Sequence, residues 1–487
     1  MKNSANFLAA TEYRLRMSRP FVSAAFATVL LAGCTVGPKY VRPTAEVPAD
    51  FKDAAEWKTA QPSDEIAKGK WWEIYQDPQL NSLEEQVAVS NQNLKAAEAQ
   101  FAQARAALQV TRSGQFPTVT GGLSGTRLHV SSNRATGGST TNYSDYDLPV
   151  DASYEPDVWG RVRREVEASR SAVQASAADL ANVNLSLQAE LASDYFNLRG
   201  LDAQKQLLDS TVVSYERALQ LTQSRYSGGV ATAVDVAQAQ TQLDQTRALS
   251  IGVGVDRAAF EDAIAVLIGK PSPTFSVAPL PLTATPPSVP PGLPSDLLER
   301  RPDIAASERR VQQANAQIGV AKSAYFPAIT LTAAGGFESA ALGTLLQGPS
   351  GLWNLGGAAL ETLFDGGVRR GVSQQALAAR DQSIANYRQT VLTAFQEVED
   401  NLAALRILQQ QAQVQSEAVA SAEHSLSLSN TRYVGGVTSY LEVTTAESAA
   451  LSDEITAVNL LTRRMAASVL LVKAIGGGWN VSQLSPS

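Results

Sequence analysis

Between Val372 and Val434 no glycine or proline interrupts the chain until the residues that follow it, and Ile384, Tyr387, Val391, Phe395, Val398, Leu402 and Leu405 recur three or four residues apart. That spacing predicts a long helix with a coiled-coil-like apolar seam. A second run, from about Arg161 to Tyr226, contains only Gly200. At 1.5 Å per residue each helix would measure on the order of 100 Å. Shorter helical patterns occupy Gln79–Arg112, Thr232–Ile268, Ser295–Ser323 and Ser439–Ile475. In each half of the chain, two of these sum to nearly the length of one long helix. Short helices stacked end to end, antiparallel to a long one, follow from that match. Their joint forms a waist, where Lys70–Leu83 and a proline-rich connector gather.

The period changes from helical to alternating at two places. After Phe116-Pro117, Val119 and Leu123 alternate with threonine and serine over Thr118–Thr126. After Phe326-Pro327, Ile329 and Leu331 alternate with Thr330 and Thr332 over Ala328–Ala334. Return strands are expected at Asp147–Glu155 and Leu352–Phe364, the first pair being joined by the Gly/Ser/Thr/Asn-rich loop Ser131–Thr141. Short segments with one apolar and one polar face match outer-membrane barrel strands. Phe116, Tyr154, Phe326 and Trp353 are candidate interfacial aromatics, while Pro149 is awkward inside a strand because it lacks a ladder donor. Two ordinary surface hairpins are the alternative. Four strands cannot close a transmembrane barrel, and an open edge is not tolerated in lipid. If these strands span, several chains pool them.

The plan is written twice. SRYSGGVATAVDVAQAQ, from Ser224, is echoed by TRYVGGVTSYLEVTTAE, from Thr431, and the Phe-Pro pairs and Val-Arg-Arg triplets recur in the same order at nearly the same offset. Between the copies, Pro271–Pro294 is an extended connector rich in proline. At each tip a helix ends in Arg-Tyr. Gly228-Gly229 and Gly435-Gly436 then permit the left-handed backbone that stops a helix. TAVD (Thr232–Asp235) and SYLE (Ser439–Glu442) read as capping boxes that start the next one. Asp235 and Glu442 are thus capping acids; ringed by symmetry they would also form a charged constriction. Tyr226 and Tyr433 are either packing or gate residues.

Composition narrows the function. Lys2, Arg14, Arg16 and Arg19 precede an apolar run too short to span a bilayer, which ends in Leu31-Ala-Gly-Cys34. This is a lipobox: residues 1–33 are expected to be a lipoprotein signal peptide and Cys34, the sole cysteine, to carry covalent lipid. Met17 would give a more typical signal start. Removing the signal, with four basic residues and one acid, takes the formal charge from −7 to −10. An acidic chain argues against nucleic acid as partner. No later segment holds about 20 continuous apolar residues, the length of a spanning helix. Gly269–Ser272 lacks the glycine and Lys-Ser/Thr of a P-loop. His129 and His424 are the only histidines, no metal cluster is visible, and no acid, base or nucleophile set stands out for an enzyme.

With these motifs in place, the sequence resembles the outer membrane efflux proteins of the TolC type, in the lipoprotein branch that includes OprM and NodT. The resemblance covers nearly the whole mature chain. It rests on LAGCTVGPKYVRP (Leu31–Pro43), YEPDVWGRVRR (Tyr154–Arg164), the two RYxGGV tips and, most specifically, LPSDLLERRPDIAASERRVQQANAQIGVAKSAYFP (Leu293–Pro327). In that last stretch Ser295 is positioned to cap the helix begun by Asp296 and Glu299, with Arg300, Arg301 and Asp303 pairing near the waist. The resemblance implies a mainly α chain with a membrane β-barrel: an internally duplicated protein whose long α-helical hairpins form a periplasmic barrel. Its four strands per protomer would contribute to a 12-stranded trimeric outer membrane barrel. The implied divisions are a tail and first repeat over 34–270, the connector 271–294, a second repeat over 295–476 and a C-terminal tail 477–487. Strands fall at about 115–155 and 327–364, long helices at about 160–226 and 367–434, and tips at about 226–232 and 433–439.

The implied function is a passive, lipid-anchored exit duct for small molecules in the bacterial outer membrane. The implied partners are a periplasmic adaptor, an inner membrane pump of the resistance-nodulation-division type and outer membrane lipid, with no cofactor beyond the lipid on Cys34. Tyr226, Asp235, Tyr433 and Glu442 match the family's aperture positions, and Gly228, Gly229, Gly435 and Gly436 its adaptor-contact tips. Some members carry a second acid three residues after Glu442, where Thr445 stands here, and a basic residue where Thr438 stands. A duct for peptide or protein secretion, and a structural envelope lipoprotein without a pore, are the competing readings.

Overall fold

A computed structural model describes residues 35–52, 69–131, 141–289 and 294–484. The signal segment, Cys34 and part of the connector and of the first strand loop lie outside the described residues. The chain divides into two compact units: Met1–Pro43, Gln103–Val173 and Glu308–Ala385 form one, and Thr44–Ala102, Gln174–Ser307 and Asn386–Ser487 the other.

In chain order the helices are α1 (Pro78–Ser90), α2 (Gln92–Ser113), α3 (Arg161–Ser227), α4 (Ala233–Leu267), α5 (Leu297–Arg300), α6 (Pro302–Ser323), α7 (Val368–Val434) and α8 (Tyr440–Ala474). The strands are β1 (Thr118–Gly121), β2 (Ser124–Val130), β3 (Thr141–Tyr154), β4 (Ala328–Ser339) and β5 (Gly351–Leu360). The two long helices have equal length, 67 residues each. The expected helix over Gln79–Arg112 is two. Asn91 leaves the helical backbone, its Oδ1 accepts from Leu94 N at 3.0 Å, and its Nδ2 donates to Leu267 O at 2.7 Å. The helix expected over Ser295–Ser323 also breaks, because Arg301 precedes Pro302 and takes extended backbone. Ser295 does not cap it: Asp296 stands at the N-cap, with no side-chain cap bond.

In the first unit all strand pairs are antiparallel. β3 lies between the β1/β2 edge and β4, and β5 pairs with the far side of β4. The strand expected over Thr118–Thr126 is interrupted, and Pro149 is the reason. Its carbonyl accepts from Gly122 N at 3.0 Å, so its ring nitrogen faces the same neighbour without a proton, and the ladder resumes at Ser124↔Asp147. β1 and β2 are therefore one interrupted path, and the sheet has four. β3 and β4 run longer than expected, β3 beginning at Thr141 and β4 reaching Ser339, while β5 stops at Leu360.

The register sorts the sheet into two faces. One carries Val119, Tyr146, Leu148, Val150, Tyr154, Leu331, Phe337, Trp353 and Leu355. The other carries Thr120, Asp145, Asp147, Asp151, Thr330, Thr332 and Glu338, together with Leu352; toward the β2 end the sorting lapses, with Arg127 and His129 on the first face and Leu128 and Tyr143 on the second. Trp353 is 79 % exposed on the apolar face.

The chain just after Cys34 is held to the first unit. Val36 N donates to Trp159 O at 3.1 Å, Arg164 Nε to Val36 O at 3.2 Å and Asn315 Nδ2 to Pro38 O at 3.1 Å. Gly37 has φ +108°, and a Cβ there would lie 2.6 Å from Gly319 Cα, a backbone atom that cannot yield. Gly37→Val is expected to strip this tail from its groove. Limited proteolysis should then cut between residues 35 and 43, sites that resist cleavage in the parent protein.

The second unit is cored by the aromatic turn Trp71–Tyr75. Trp71 Nε1 donates to Gln188 Oε1 at 3.2 Å, Tyr75 OH pairs with Ser468 Oγ at 2.9 Å, and Tyr75 and Phe196 rings lie 4.9 Å apart. Asp77 caps α1 through Gln79 N and Leu80 N, and accepts from Tyr195 OH at 2.6 Å. Gly200, the one glycine of α3, sits where any Cβ would collide with Thr462 of α8. The connector is strapped down by buried charge: Arg199 reaches Ala278 O, Arg257 reaches Val277 O, and Asp202 accepts from Arg199, Arg257 and Leu280 N.

Candidate functional site: the helix hairpin tips

Both tips close by the same backbone geometry. In the first, Val230 N bonds to Arg225 O at 2.8 Å and Gly229 N to Tyr226 O at 2.9 Å; in the second, Val437 N bonds to Arg432 O at 2.9 Å and Gly436 N to Tyr433 O at 3.0 Å. This is the Schellman closure, which needs a left-handed residue. Only the second glycine of each pair supplies it, with φ +74° at Gly229 and +72° at Gly436. Gly228 and Gly435 continue the helical turn instead.

The starts of the next helices differ. Thr232 and Asp235 form the expected capping box: Asp235 N donates to Thr232 Oγ1 at 3.2 Å, and Asp235 Oδ2 accepts from Thr232 N at 2.8 Å. Ser439 and Glu442 do not, since Ser439 makes no side-chain cap bond. Two contacts distinguish the second start. Asp235 Oδ1 crosses from the first tip to accept Tyr440 N at 3.2 Å, taking one of the free donors of α8. Glu442, one carbon longer than aspartate, turns toward Arg432 at 3.7 Å.

The four aperture candidates therefore fall into two environments. Asp235 and Tyr433 are buried within the chain, whereas Tyr226 is 51 % exposed and the Glu442 side chain is open to solvent. Burial pushes the Asp235 carboxyl up, but the bonds from Thr232 and Tyr440 and the nearby Arg225 outweigh it and hold the group below the usual carboxylate range. It is a fixed anion, not an acid free to titrate near neutrality.

Sequence reasoning missed the residues that join the tips. Arg225 donates to Val434 O at 3.1 Å and Tyr433 O at 3.2 Å, and its guanidinium lies 4.9 Å from the Tyr433 ring centre. One arginine of the first tip thus satisfies two carbonyls ending α7 and covers an aromatic face. Tyr433 meets Tyr440 edge to face at 5.1 Å, and both pack with Tyr215, Leu219, Leu243 and Val443. The signal was present in the repeated Arg-Tyr pair; the different roles of its two copies were not.

Glu447 lies buried at the edge of this cluster. The Tyr440 and Tyr215 side chains lie near it, and its Oε2 has no partner. Burial raises its carboxyl from an ordinary value near 4.5 to about 7. The folded tip therefore holds the proton more tightly than the unfolded chain. By linkage, this group's contribution is full below about pH 4.5 and is lost as pH rises toward about 7. Amide exchange at the tips should accelerate across that window in the parent protein, and Glu447→Gln should flatten the pH dependence.

Residues 83–270 and 293–477 match the family model described as "Outer membrane efflux protein". The two matched segments correspond to the two copies of the repeat. The chain is an outer membrane efflux protein. It is 32% identical over 466 residues to the toluene efflux pump outer membrane protein TtgC of Pseudomonas putida, covering 95% of this chain and 96% of that one. The outer membrane channel OprN superposes with a TM-score of 0.87 at 29% identity, over 92% of this chain and 100% of that chain. The MtrE channel of Neisseria gonorrhoeae, solved in its open state, superposes with a TM-score of 0.79 at 28% identity, over 91% and 98%. As an outer membrane efflux protein, the chain is the channel component of an efflux system, and its helices and strands are those of a helical tunnel and a β-barrel.

Proposed function

We propose that this efflux protein works as a homotrimer, a passive exit duct closed at rest by its periplasmic tips. The observation that carries the reading is the sheet with one apolar and one polar face whose two edges, β1/β2 and β5, have no partner within the described chain. Such edges are not stable in lipid. Three chains supplying four strand paths each would close a cylinder of 12, with Trp353 and its neighbours toward lipid and Asp145, Asp147, Asp151 and Glu338 toward the lumen.

Cys34 carries the lipid anchor in this reading. The support is that the residues following it are pinned beside Trp159 and Gly160, next to where the strands begin. A periplasmic adaptor engages the Gly228-Gly229 and Gly435-Gly436 tips. A pump of the resistance-nodulation-division type in the inner membrane supplies the energy. The cargo is small and organic, as the name of the toluene efflux relative suggests. Opening separates the contacts among Arg225, Asp235, Tyr433 and Tyr440 and widens the ring bearing Tyr226 and Glu442. The protein performs no covalent chemistry and needs no metal. In planar bilayers, purified protein is expected to give discrete ion-conducting steps. Incorporated protein that stays without conductance even as the Asp235→Ala variant would favour the structural spacer instead.

A further inference from the structure

The tip repeat is symmetric in sequence but not in contacts, and the difference has a direction. Arg225 of the first tip sits over Tyr433 and donates to Tyr433 O and Val434 O of the second. Moving each of these residues by the repeat offset exchanges Arg225 for Arg432, Tyr433 for Tyr226 and Val434 for Ser227. The corresponding contact is not made within one chain. Arg432 instead extends outward, its side chain 56 % exposed, with Glu442 at 3.7 Å as its ion-pair partner. Tyr226 is 51 % exposed, whereas its counterpart Tyr433 is 5 % exposed beneath Arg225. One tip thus ends in an arginine that covers no aromatic ring, and the other in a tyrosine that no arginine covers.

We propose that Arg432 of one chain covers Tyr226 and donates to the Tyr226 and Ser227 carbonyls of an adjacent copy. The inference rests on the trimer reading above. In a closed ring of two-tip chains, first and second tips alternate, so each second tip faces the first tip of the next chain. Every junction can then use one contact: arginine over tyrosine with two carbonyls capped, within a chain through Arg225 and between chains through Arg432. Glu442 stays beside Arg432 as its ion-pair partner, as Asp235 lies near Arg225 at the internal junction while bonded to Thr232 and Tyr440. The partner is a second copy of this chain, and the surface is Tyr226, Ser227, Arg432 and Glu442.

The test is photocrosslinking of the full-length protein in its resting state, with benzoylphenylalanine in place of Ser227. Irradiation should yield denaturation-resistant dimers and trimers in which the peptide around residue 227 is joined to the one bearing Arg432. The same probe at Val434 should link within a chain to the Arg225 peptide. Native mass of the unirradiated sample reads the oligomer separately. A trimer whose position 227 forms no adduct with the Arg432 region overturns the contact and leaves the trimer standing; a monomeric native mass overturns both.

Discussion

Asp235→Ala is expected to give a channel that leaks at rest. The substitution removes the acceptor for Thr232 N, Thr232 Oγ1 and Tyr440 N together. Loss of a helix-capping side chain alone costs roughly 0.5–2 kcal/mol. Here the same carboxylate also holds the start of α8 to the first tip, so the two hairpins lose a shared anchor. The waist and the sheet lie elsewhere in the chain, and the oligomer should assemble normally. Resting conductance in bilayers should rise severalfold, with greater entry of bulky antibiotics into cells expressing the variant. Asp235→Asn keeps one acceptor and should fall between. Because the Asp235 carboxyl titrates below its usual range, its contribution is complete at neutral pH and is lost only as pH falls through that depressed value. Unchanged conductance in the alanine variant would separate Asp235 from closure.

Arg301→Ala is expected to be the most damaging change outside the tips. The guanidinium is buried and holds Asp303 through two bonds of 3.0 and 2.7 Å, Glu397 at 2.7 Å and Ala474 O at 2.9 Å. It therefore ties α6, α7 and the end of α8. Removing it leaves the Ala474 carbonyl without its donor and two carboxylates that water reaches in part, a loss on the order of 1–3 kcal/mol. Chemical denaturation of the detergent-solubilised protein should show that loss, with reduced yield of folded oligomer. Arg301→Lys should recover little, since a point charge cannot grip Asp303 with two parallel bonds. Closure at the tips should be unaffected in the folded fraction, which distinguishes this residue from Asp235.

Much of this architecture was legible because it is written in strong, local signals. Sixty-odd residues of unbroken helical period can only be a long helix, and a double glycine after Arg-Tyr can scarcely be anything but its end. The repetition at a fixed offset carries the tandem plan by itself. What escaped depends on partners remote in sequence. Asn91 breaks a helix by bonding to Leu267, and nothing near Asn91 announces it. The extra length of β4, Gly335 to Ser339, opens on two glycines that carry no alternation; Gly336 is there because a side chain would strike the Leu148 carbonyl of β3.

The second capping box failed for a similar reason. Ser-Tyr-Leu-Glu has the right local chemistry, but Glu442 pairs with Arg432 of the preceding helix, and its N–H bonds to the Ser439 carbonyl rather than to the hydroxyl. Arg225 and Arg432 look equivalent in sequence and are not equivalent in one chain. Local pattern fixes elements; the asymmetry between duplicated elements arises from packing and, in the present account, from neighbouring copies.

Electron microscopy of the detergent-solubilised protein is the decisive measurement, because the proposed barrel requires strand paths from several chains. The expected image is a hollow particle with three-fold symmetry, a 12-stranded cylinder continuous with a helical tunnel that narrows at the Gly229 and Gly436 tips. A single-chain particle with its sheet edges folded back and no lumen would contradict it.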